Sequence, residues 1–413
     1  MRGKPRLLIV SAVHPFPRNA GQQQRVFYTL LALRGQFHLT FLTIAEAGQV
    51  DGIRQQLLET CDGAIVLPSL YTRTAFSRLF HKLLGTGYAA LTGLKFSNYQ
   101  FGELEFSPQR LAAALGGAAF DGVLFEYWHA FKTARWFRQH GVAAILDMHD
   151  VLWQSFARQL DAPKFLPGWL KGWLAKRYQA REEAAWQDFD VLIAINRAEF
   201  DYTRGRVGAG AKLFHVPMGT DLAAWPHCWE PASPRRVAYY GSLGSAHNQQ
   251  DALLCYREVM PLIWAQHPEV EFWIVGSNPP AMIRALARGP RVRVTGFVEA
   301  PQDILKTMSL ALCPWSGTYG FRSRIVEVMA LGVPVIASPD AVHGMEFEEN
   351  AGIALGSTPA SLGAIALLWL SDEAVLREQG CLARQQIESR FSYEATYGRF
   401  SADLAGIFTG RVT

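Results

Sequence analysis

Residues 312–338 read LCPWSGTYGFRSRIVEVMALGVPVIAS: an apolar run, a loop with glycines, an amphipathic stretch, a glycine and a second apolar run. This order predicts a strand, a loop, a helix, a turn and another strand. A loop with Gly317 and Gly320 that leads into a helix lets backbone N–H groups point at a phosphate, and the helix dipole favours such an anion. The segment therefore predicts an α/β domain with an anion site at the start of this helix.

The charged side chains of the predicted helix indicate what the anion is. Arg322 and Arg324 fall in its first turn, where cations are unfavourable unless an anion is bound. Glu327 lies within an apolar run, so its carboxylate needs hydrogen-bond donors that offset the cost of desolvation. The two hydroxyls of a ribose would supply them, which favours a nucleotide diphosphate. An ion pair between Arg324 and Glu327 is the alternative interpretation, and it leaves the loop glycines and Arg322 unexplained.

The alternation of short apolar runs and longer amphipathic stretches extends along the whole chain, as is typical of parallel βα units. A chain of 413 residues usually forms two domains. We predict Rossmann-like, doubly wound domains at 1–222 and 237–390, a proline-containing linker at 223–236, and a C-terminal helix at 391–413 that crosses back to the first domain. The predicted strands are 7–13, 38–44, 64–67, 123–127, 143–148, 191–196, 213–217, 237–240, 271–275, 292–295, 310–313 and 333–337.

Composition excludes several classes of protein. The formal net charge of +4 is too small for this length to indicate a nucleic-acid partner. The five cysteines show no CxxC spacing, so neither a disulfide framework nor a zinc site is indicated, and a reducing compartment fits best. No window approaches the roughly 18 apolar residues of a membrane-spanning helix. We therefore expect a cytoplasmic protein, with any membrane contact peripheral, at the inner face of the cytoplasmic membrane.

Two stretches of the first half are candidates for such peripheral contact. Residues 73–84 form a basic amphipathic pattern, and residues 165–177 combine aromatic side chains with lysines. Surfaces of this kind rest on anionic membrane, where lipid-linked acceptors are found. The alternative is that both stretches are helices packed on the sheet.

The residues of the opening segment resemble a known family. Residues 320–327, GFRSRIVE, and the continuation EVMALGVPVI at 327–336 resemble glycosyltransferase family 4, in a sub-branch similar to exopolysaccharide-biosynthesis sugar transferases. More familiar members carry Glu-x7-Glu, and Tyr319 stands at the first of those two positions here. That departure places the usual contact with a sugar hydroxyl in question.

Other stretches resemble the family in the expected order along the chain. GSLGSAHN at 241–248 is similar to the first loop of the nucleotide domain, with Ser242 where an Arg is common. PFPRNAGQQQR at 15–25 is similar to the Gly-containing loop after the first strand, and PMGTD at 217–221 to the close of the first domain. LDMHD at 146–150 places His149 where the family has a His that contacts the donor sugar.

The resemblance implies the GT-B fold, in which two facing Rossmann-like domains leave a cleft. It also implies a retaining, metal-independent transfer of a sugar from a nucleotide diphosphate to a glycan or lipid-linked acceptor in cell-surface polysaccharide biosynthesis, with no cofactor. Expected catalytic residues are His149, Arg322 and Arg324. Expected donor-binding residues are Gly21, Gly241, Ser242, Gly320, Phe321 and Glu327, and expected acceptor-side residues are Arg25, Glu126, His129 and Asp150.

Three alternatives remain open at this stage. Asp188-Phe-Asp190 has the Asp-x-Asp spacing of a metal-binding glycosyltransferase of another fold, although it precedes a strand as an ordinary turn. A nucleotide-sugar epimerase would need acid and base carboxylates, for which Glu126 and Asp150 are the candidates. A catalytically silent nucleotide-sugar-binding protein is suggested by Tyr319 and Ser242, and binding without turnover would distinguish it.

Overall fold

The computed structural model describes residues 3–18, 20–161, 166–317 and 320–410. The chain forms two compact units, one comprising Met1–Pro217 and Tyr397–Thr413, the other Met218–Thr396. Tyr319, and Phe165 of the aromatic stretch, lie outside the described residues.

The first unit contains a seven-stranded parallel sheet in the order β3-β2-β1-β4-β5-β6-β7. Its central strand β1 pairs on both sides, with Leu8 opposite Thr40 and Val123. The strands are β1 (Arg6–Val10), β2 (His38–Ala45), β3 (Gly63–Pro68), β4 (Gly122–Glu126), β5 (Ala143–Asp147), β6 (Val191–Ala194) and β7 (Lys212–His215).

The second unit contains a six-stranded parallel sheet in the order β10-β9-β8-β11-β12-β13. The strands are β8 (Arg236–Tyr240), β9 (Glu271–Val275), β10 (Val292–Gly296), β11 (Leu310–Cys313), β12 (Val335–Ala337) and β13 (Ile353–Leu355). Twelve of the 13 strands coincide with predicted ones to within a few residues, and β13 is additional. β13 is a three-residue run between Gly352 and Gly356, whereas the equally short β12 lies within the longer apolar run 333–337 that predicted it.

Helices connect the strands in both units. The first unit has α1 (Gly21–Leu33), α2 (Val50–Leu58), α3 (Ala75–Thr92), α4 (Pro108–Leu115), α5 (Phe131–Gln139), α6 (Leu152–Asp161), α7 (Gly168–Trp186) and α8 (Arg197–Arg204). The second has α9 (Ala246–Leu254), α10 (Met260–Gln266), α11 (Ala281–Arg284), α12 (Pro301–Leu305), α13 (Ser323–Ala330), α14 (Pro359–Ser371) and α15 (Glu373–Gln386). The last helix, α16 (Arg399–Thr409), belongs to the first unit. Shorter 3₁₀ or π-helical segments lie at Ala47–Gln49, Asn98–Glu105, Trp128–Ala130, Cys255–Val259, Ala285–Arg288, Pro339–Val342, Ile387–Phe391 and Glu394–Gly398.

The central strands of each sheet are buried on both faces, as their sequences require. Consecutive residues Leu7, Leu8 and Ile9 of β1 are all fully buried, although alternate residues of a strand point to opposite faces. The same holds for Leu310 and Leu312 with the residue between them in β11. Near-continuous apolar strands of this kind need helices on both sides of the sheet, which is the doubly wound arrangement.

The order of strands places a topological switch point in each sheet. In the first sheet the chain leaves β1 in one direction to β2 and β3, and continues on the other side of β1 with β4. In the second sheet β8 and β11 stand in the same relation. At such a point the loops after the two neighbouring strands diverge and open a crevice at their carboxyl ends, where doubly wound domains bind ligands.

The predicted linker at 223–236 is part of the second unit. Trp229 donates its indole N–H to the carbonyl of Met308 at 2.7 Å, and its ring packs against Gly380. The backbone N–H of Glu230 donates to the Lys306 carbonyl at 2.9 Å. Prolines exclude regular structure here but do not prevent packing, so the chain passes between the units at 217–218 and again at 396–397, not at 223–236 and 391.

No single helix in the described ranges is long and apolar enough to cross a membrane. Only the bent pair Pro359–Ser371 and Glu373–Phe391, with 109° between its members, meets the length and composition test jointly.

Candidate functional site

The ion pair between Arg324 and Glu327, which was the alternative interpretation of the sequence, lies at the crevice of the second unit. Arg324 donates from Nη1 to Oε2 of Glu327 at 2.7 Å. Tyr240, the last residue of β8, donates its hydroxyl to the same Oε2 at 3.1 Å and accepts a hydrogen bond from Arg324. The three side chains therefore form a closed cluster between the end of β8 and α13, at the switch point that β8 and β11 define.

Glu327 retains an acceptor within this cluster. Glu327 is only 4% exposed. Burial raises the pKa of Glu327, while the guanidinium of Arg324 acts to lower it. Both of its side-chain hydrogen bonds with described residues use Oε2. Glu327 can therefore keep its ion pair with Arg324 on Oε2 and accept a hydrogen bond from an external hydroxyl on Oε1. The ion pair and the ribose contact, the two interpretations of the sequence, do not exclude one another.

Arg322 lies where the loop after β11 meets α13. It occupies the N-cap position of α13, and its Nη2 donates to the carbonyls of Ser316 and Gly317 at 3.4 and 3.3 Å. The guanidinium carbon is 5.6 Å from the centre of the Trp315 ring. Three groups of the loop thus hold this cation beside the first turn of a helix, where an anion is favoured.

A carboxylate close to Arg322 adds to the charge of this crevice. Asp251 on α9 is largely buried, which raises its pKa to about 6, and Arg322 and His247 act to lower it. The nearby Asp340 accepts the N–H of Gly317 at 2.8 Å, so this glycine uses its N–H within the protein. Gly320 has φ of +65°, a conformation that favours glycine, and it directs the chain into α13.

The loop after β8 is closed by contacts with the loop after β9. A Cβ on Gly276 would lie 1.8 Å from the carbonyl oxygen of Gly241, so only glycine allows this approach. The carbonyl of the exposed Ser242 accepts from Asn248 Nδ2 at 2.7 Å, and its Oγ lies 3.4 Å from Ser277 Oγ. Gly241 and Ser242 therefore form a fixed turn beside the switch point. Phe321 packs instead against Phe391, with ring centres 6.1 Å apart.

The first unit contains a buried pair of opposite charges. Arg25 on α1 binds Asp147 at the end of β5 through two hydrogen bonds of 2.8 and 3.1 Å. Its Nη1 donates to the Val216 carbonyl at 2.7 Å and lies 3.5 Å from the Tyr397 hydroxyl. Burial acts to lower the pKa of Arg25, but Asp147 more than offsets it, so that pKa is raised. Arg25 is 1% exposed, which makes it a structural residue and corrects the expectation that it contacts an acceptor.

His149 and Glu126 lie together at the carboxyl ends of β5 and β4. The Nε2 of His149 is hydrogen-bonded to Oε2 of Glu126, and both residues are buried. Burial raises the pKa of Glu126, although His149 beside it acts to lower that pKa. No described donor reaches Oε1 of Glu126. The carboxylate thus fixes the orientation of the imidazole.

Two adjacent backbone outliers occur at the same place. Tyr127 has φ of +70° and His149 has φ of +57°, and their rings stack with centres 4.3 Å apart. Residues other than glycine rarely adopt such angles, and those that do are concentrated at functional sites. Tyr127 was not predicted as a site residue, because a positive φ at a tyrosine has no signal in the sequence.

An apolar cavity of about 230 Å³ lies beside this strained pair. Its polar lining includes Glu126, Tyr127 and His129. Burial lowers the pKa of His129 to about 3, with a smaller effect from Lys95 in the same direction. The rest of the lining comes from the ends of β1 and β4, from α1, from Asn98–Glu105 with the residue after it, and from Trp128–Ala130: Val10, Ala12, Val13, Gln22, Phe101, Phe106, Phe125 and Ala130. His129 is therefore a neutral group at the edge of an apolar pocket.

Asp150 turns away from this pocket into a buried acidic cluster. The carboxyl group of Glu199 belongs to the same cluster, and burial, followed by the negative charge of Asp150, raises the pKa of Glu199. Glu182 is the third member and accepts the N–H groups of Leu152 and Trp153 at 2.9 and 2.6 Å. Burial raises the pKa of all three carboxyls, that of Glu182 to about 8. These groups hold the start of α6 and do not face the pocket lining.

One group of side chains in the described ranges has the spacing of metal ligands. Ligand atoms of Glu126, Asp147 and His149 lie within 4.8 Å of one another. However, Arg25 occupies both oxygens of Asp147, and His149 and Glu126 are bonded to each other. A cation would have to displace a buried guanidinium, so this donor set does not suit a metal.

The remaining predicted residues have ordinary structural roles. Gly21 is the first residue of α1, and an added Cβ would meet no atom within 4 Å. Asp188 binds Arg135 through two hydrogen bonds, and Asp190 binds Arg138 and the N–H of Ala144. Both carboxylates of the Asp-x-Asp pair thus form structural hydrogen bonds, with arginines of α5 and, for Asp190, with the backbone of β5.

Comparisons with known proteins agree with this architecture. Residues 234–372 match the family model described as glycosyl transferases group 1. No curated protein matches the chain in sequence.

Several solved structures are similar over the whole chain. A sucrose-phosphate synthase from Thermosynechococcus elongatus is 18% identical, with 98% of this chain and 100% of that chain covered and a TM-score of 0.66. HepE of Anabaena, solved with UDP and glucose, is 14% identical, with 97% and 99% covered and a TM-score of 0.60. A glycosyltransferase from Rickettsia africae is 12% identical, with 99% of each chain covered and a TM-score of 0.63. The fold is thus GT-B, the second unit carries a glycosyl transferases group 1 domain, and the chain is a glycosyltransferase.

Proposed function

We propose that this glycosyltransferase moves a sugar from a nucleotide diphosphate to a glycan or lipid-linked acceptor in cell-surface polysaccharide biosynthesis. The observation that carries the proposal is the cluster of Tyr240, Arg324 and Glu327 at the switch point of the second unit, with Arg322 at the start of the same helix α13. The UDP bound by HepE, a structural neighbour, supports a nucleotide donor. We expect the enzyme to work on the cytoplasmic side, in peripheral contact with an anionic membrane.

The transfer breaks the bond between the sugar and the leaving diphosphate, so negative charge grows on that diphosphate. Stabilising this charge is the largest catalytic contribution expected of the protein. We assign the task to Arg322 and Arg324, beside the backbone around Gly241 and Gly320; the N–H of Gly241 itself donates to the Val275 carbonyl at 3.0 Å. Glu327 would accept a ribose hydroxyl on Oε1, which has no donor among the described residues.

In the first unit we assign His149 to the donor sugar, as the family resemblance implies. Glu126 is then a positioning residue, because it holds the imidazole through Nε2. The cavity beside Tyr127 and His129 is the proposed acceptor-side pocket. Its apolar lining suits an acceptor with a non-polar part, as a lipid-linked one has.

We propose retention of anomeric configuration and independence of metal. The leaving phosphate itself can accept the proton of the acceptor hydroxyl, so no separate base is required. The donor set of the first unit supports metal independence, because Arg25 already neutralises Asp147.

The first experiment measures thermal stability of the full chain with UDP-, GDP-, ADP- and TDP-sugars. A ligand at 100 times its dissociation constant stabilises the folded state by about 2.7 kcal/mol. We expect one nucleotide to act and Glu327→Gln, a change of nearly equal volume, to weaken its effect. The absence of a shift with all four would contradict the proposal. For the active donor, NMR of the product gives the anomeric configuration, and turnover in excess EDTA tests metal independence.

A further inference from the structure

The first unit has an apolar surface that the site does not use. Helix α3 exposes Phe76, Leu79, Phe80, Leu83, Leu84 and Leu91, each between 46% and 81% exposed. Their spacing of three, four and seven residues places most of them on one side of the helix. Folded proteins rarely leave so much contiguous apolar surface without a partner.

Two tryptophans of α7 extend this surface. Trp169 and Trp173 are 75% and 50% exposed and lie one helical turn apart. Arg177 connects them with α3, because its Nη2 donates to the Leu91 carbonyl and its guanidinium carbon lies 5.0 Å from the Trp173 ring centre. We call the six residues of α3 and these two tryptophans the apolar face.

The helix that carries the apolar face is held by its other side. Thr74 caps its N-terminus by accepting the N–H of Ser77 at 2.9 Å. Tyr88 donates to Glu103 at 2.9 Å, and the His81 ring is hydrogen-bonded to the Tyr99 hydroxyl at 2.8 Å. Because these contacts anchor α3 to the segment Asn98–Glu105, the apolar face is not needed for packing the helix.

The two helix stretches that carry the apolar face have charge of one sign, although one of their basic residues, Arg78, is paired with Glu46 at 3.4 Å. Residues 73–92 and 168–177 contain no Asp or Glu, and their basic residues are Arg73, Arg78, Lys82, Lys171, Lys176 and Arg177. Phe, Leu and Trp on one side of a helix with Lys and Arg around them are typical of helices that lie in a membrane interface. Basic residues beside such a helix bind anionic headgroups.

We propose that the apolar face docks on an anionic bilayer, with α3 lying in the plane of the interface and Trp169 and Trp173 at headgroup level. The biological purpose of this docking rests on the proposed function, since docking would bring the first unit to a lipid-linked acceptor. Docking itself requires neither donor nor transfer. The occupant is the lipid surface, because both the apolar side chains and the basic residues of the two helices match it.

The test is co-sedimentation of the full chain with two kinds of vesicle, phosphatidylcholine alone and phosphatidylcholine with about one third phosphatidylglycerol. We expect at least about tenfold tighter binding to the anionic vesicles, weakened by added salt. Phe76→Ser/Leu83→Ser should reduce that binding at least about tenfold. The matched control is Phe297→Ser/Leu368→Ser, two similarly exposed residues of the second unit, which should bind as the unaltered chain does.

Failure of the unaltered chain to bind anionic vesicles would overturn the proposal, as would equal loss in the control variant. Self-association in sedimentation velocity that disappears in Phe76→Ser/Leu83→Ser, without vesicle binding, would assign the face to a second copy instead. The same variants are assayed for donor-dependent thermal shift, which should not change. If no donor shifts the chain but vesicle binding behaves as expected, the proposed function fails and the docking face stands.

Discussion

Arg25 and Asp147 form a two-bond ion pair inside the first unit, with side chains 1% and 0% exposed, although they are 122 positions apart in the sequence. Removing one member leaves an uncompensated buried charge. We therefore expect Arg25→Met or Asp147→Asn to lower the free energy of unfolding by about 3–5 kcal/mol, measured by urea denaturation. The control is Arg54→Ala, in the exposed pair with Asp51, which should cost less than about 1 kcal/mol. Equal effects at the two sites would contradict the structural role of Arg25.

Arg322→Ala tests the assignment of leaving-group stabilisation. We expect kcat to fall about a hundredfold or more, because an interaction that grows with transition-state charge is lost. The folded state should keep most of its stability, since the two hydrogen bonds of the side chain to loop carbonyls are long, at 3.4 and 3.3 Å. Steady-state kinetics and a thermal melt provide the two readouts. Arg288→Ala, at an ordinary helical position, serves as control, and full turnover by the Arg322 variant would remove the central step of the mechanism.

His149→Ala separates the sugar from the nucleotide. Because His149 belongs to the first unit and is assigned to the sugar, we expect kcat to fall by roughly tenfold to a hundredfold, the equivalent of one or two hydrogen bonds. Binding of the free nucleotide diphosphate, measured by calorimetry, should not change. Glu126→Gln should reduce kcat in the same direction, since it alters the partner of Nε2. A variant that loses nucleotide affinity instead would move His149 to another role.

Stability of the first unit should fall as pH rises through neutrality. Burial raises the pKa of Glu182 to about 8 from 4.5, so the folded protein binds a proton there that the unfolded chain releases. Its stabilising contribution is complete below about pH 4.5 and is lost as pH rises through about 8, with a slope of up to about 1.4 kcal/mol per pH unit. Urea denaturation across this range measures it. Glu182→Gln should flatten the profile, and an unchanged slope would show that the proton is bound elsewhere, at Asp150 and Glu199.

The sequence predicted the secondary structure best where a strand is buried on both faces. The apolar run 310–313 coincides with β11 residue for residue, since a strand covered on both faces has no polar position within its limits. The interpretation of 223–236 was wrong for a related reason. The prolines of this segment indicate only that it has no regular secondary structure. Contacts such as that of Trp229 with the Met308 carbonyl show that the segment nevertheless packs on the second unit.

The candidate site was predicted in part. Arg322, Arg324 and Glu327 lie on one short stretch, so local spacing brought them together before the structure did. Arg25 was misread as an acceptor-side residue because its partner, Asp147, belongs to a strand far along the chain.

The sequence by itself determined the fold class and the helix that follows the glycine-containing loop, with Arg322 at its start, because hydrophobic periodicity and the residues at the start of a helix are local properties. Only the tertiary structure decided the partners: Tyr240 for Glu327, Glu126 for His149, and the opening of the apolar face on α3. The reason is physical. Which distant groups meet depends on strand order in the sheet, and the left-handed backbone of Tyr127 and His149 is imposed by packing that no local pattern encodes.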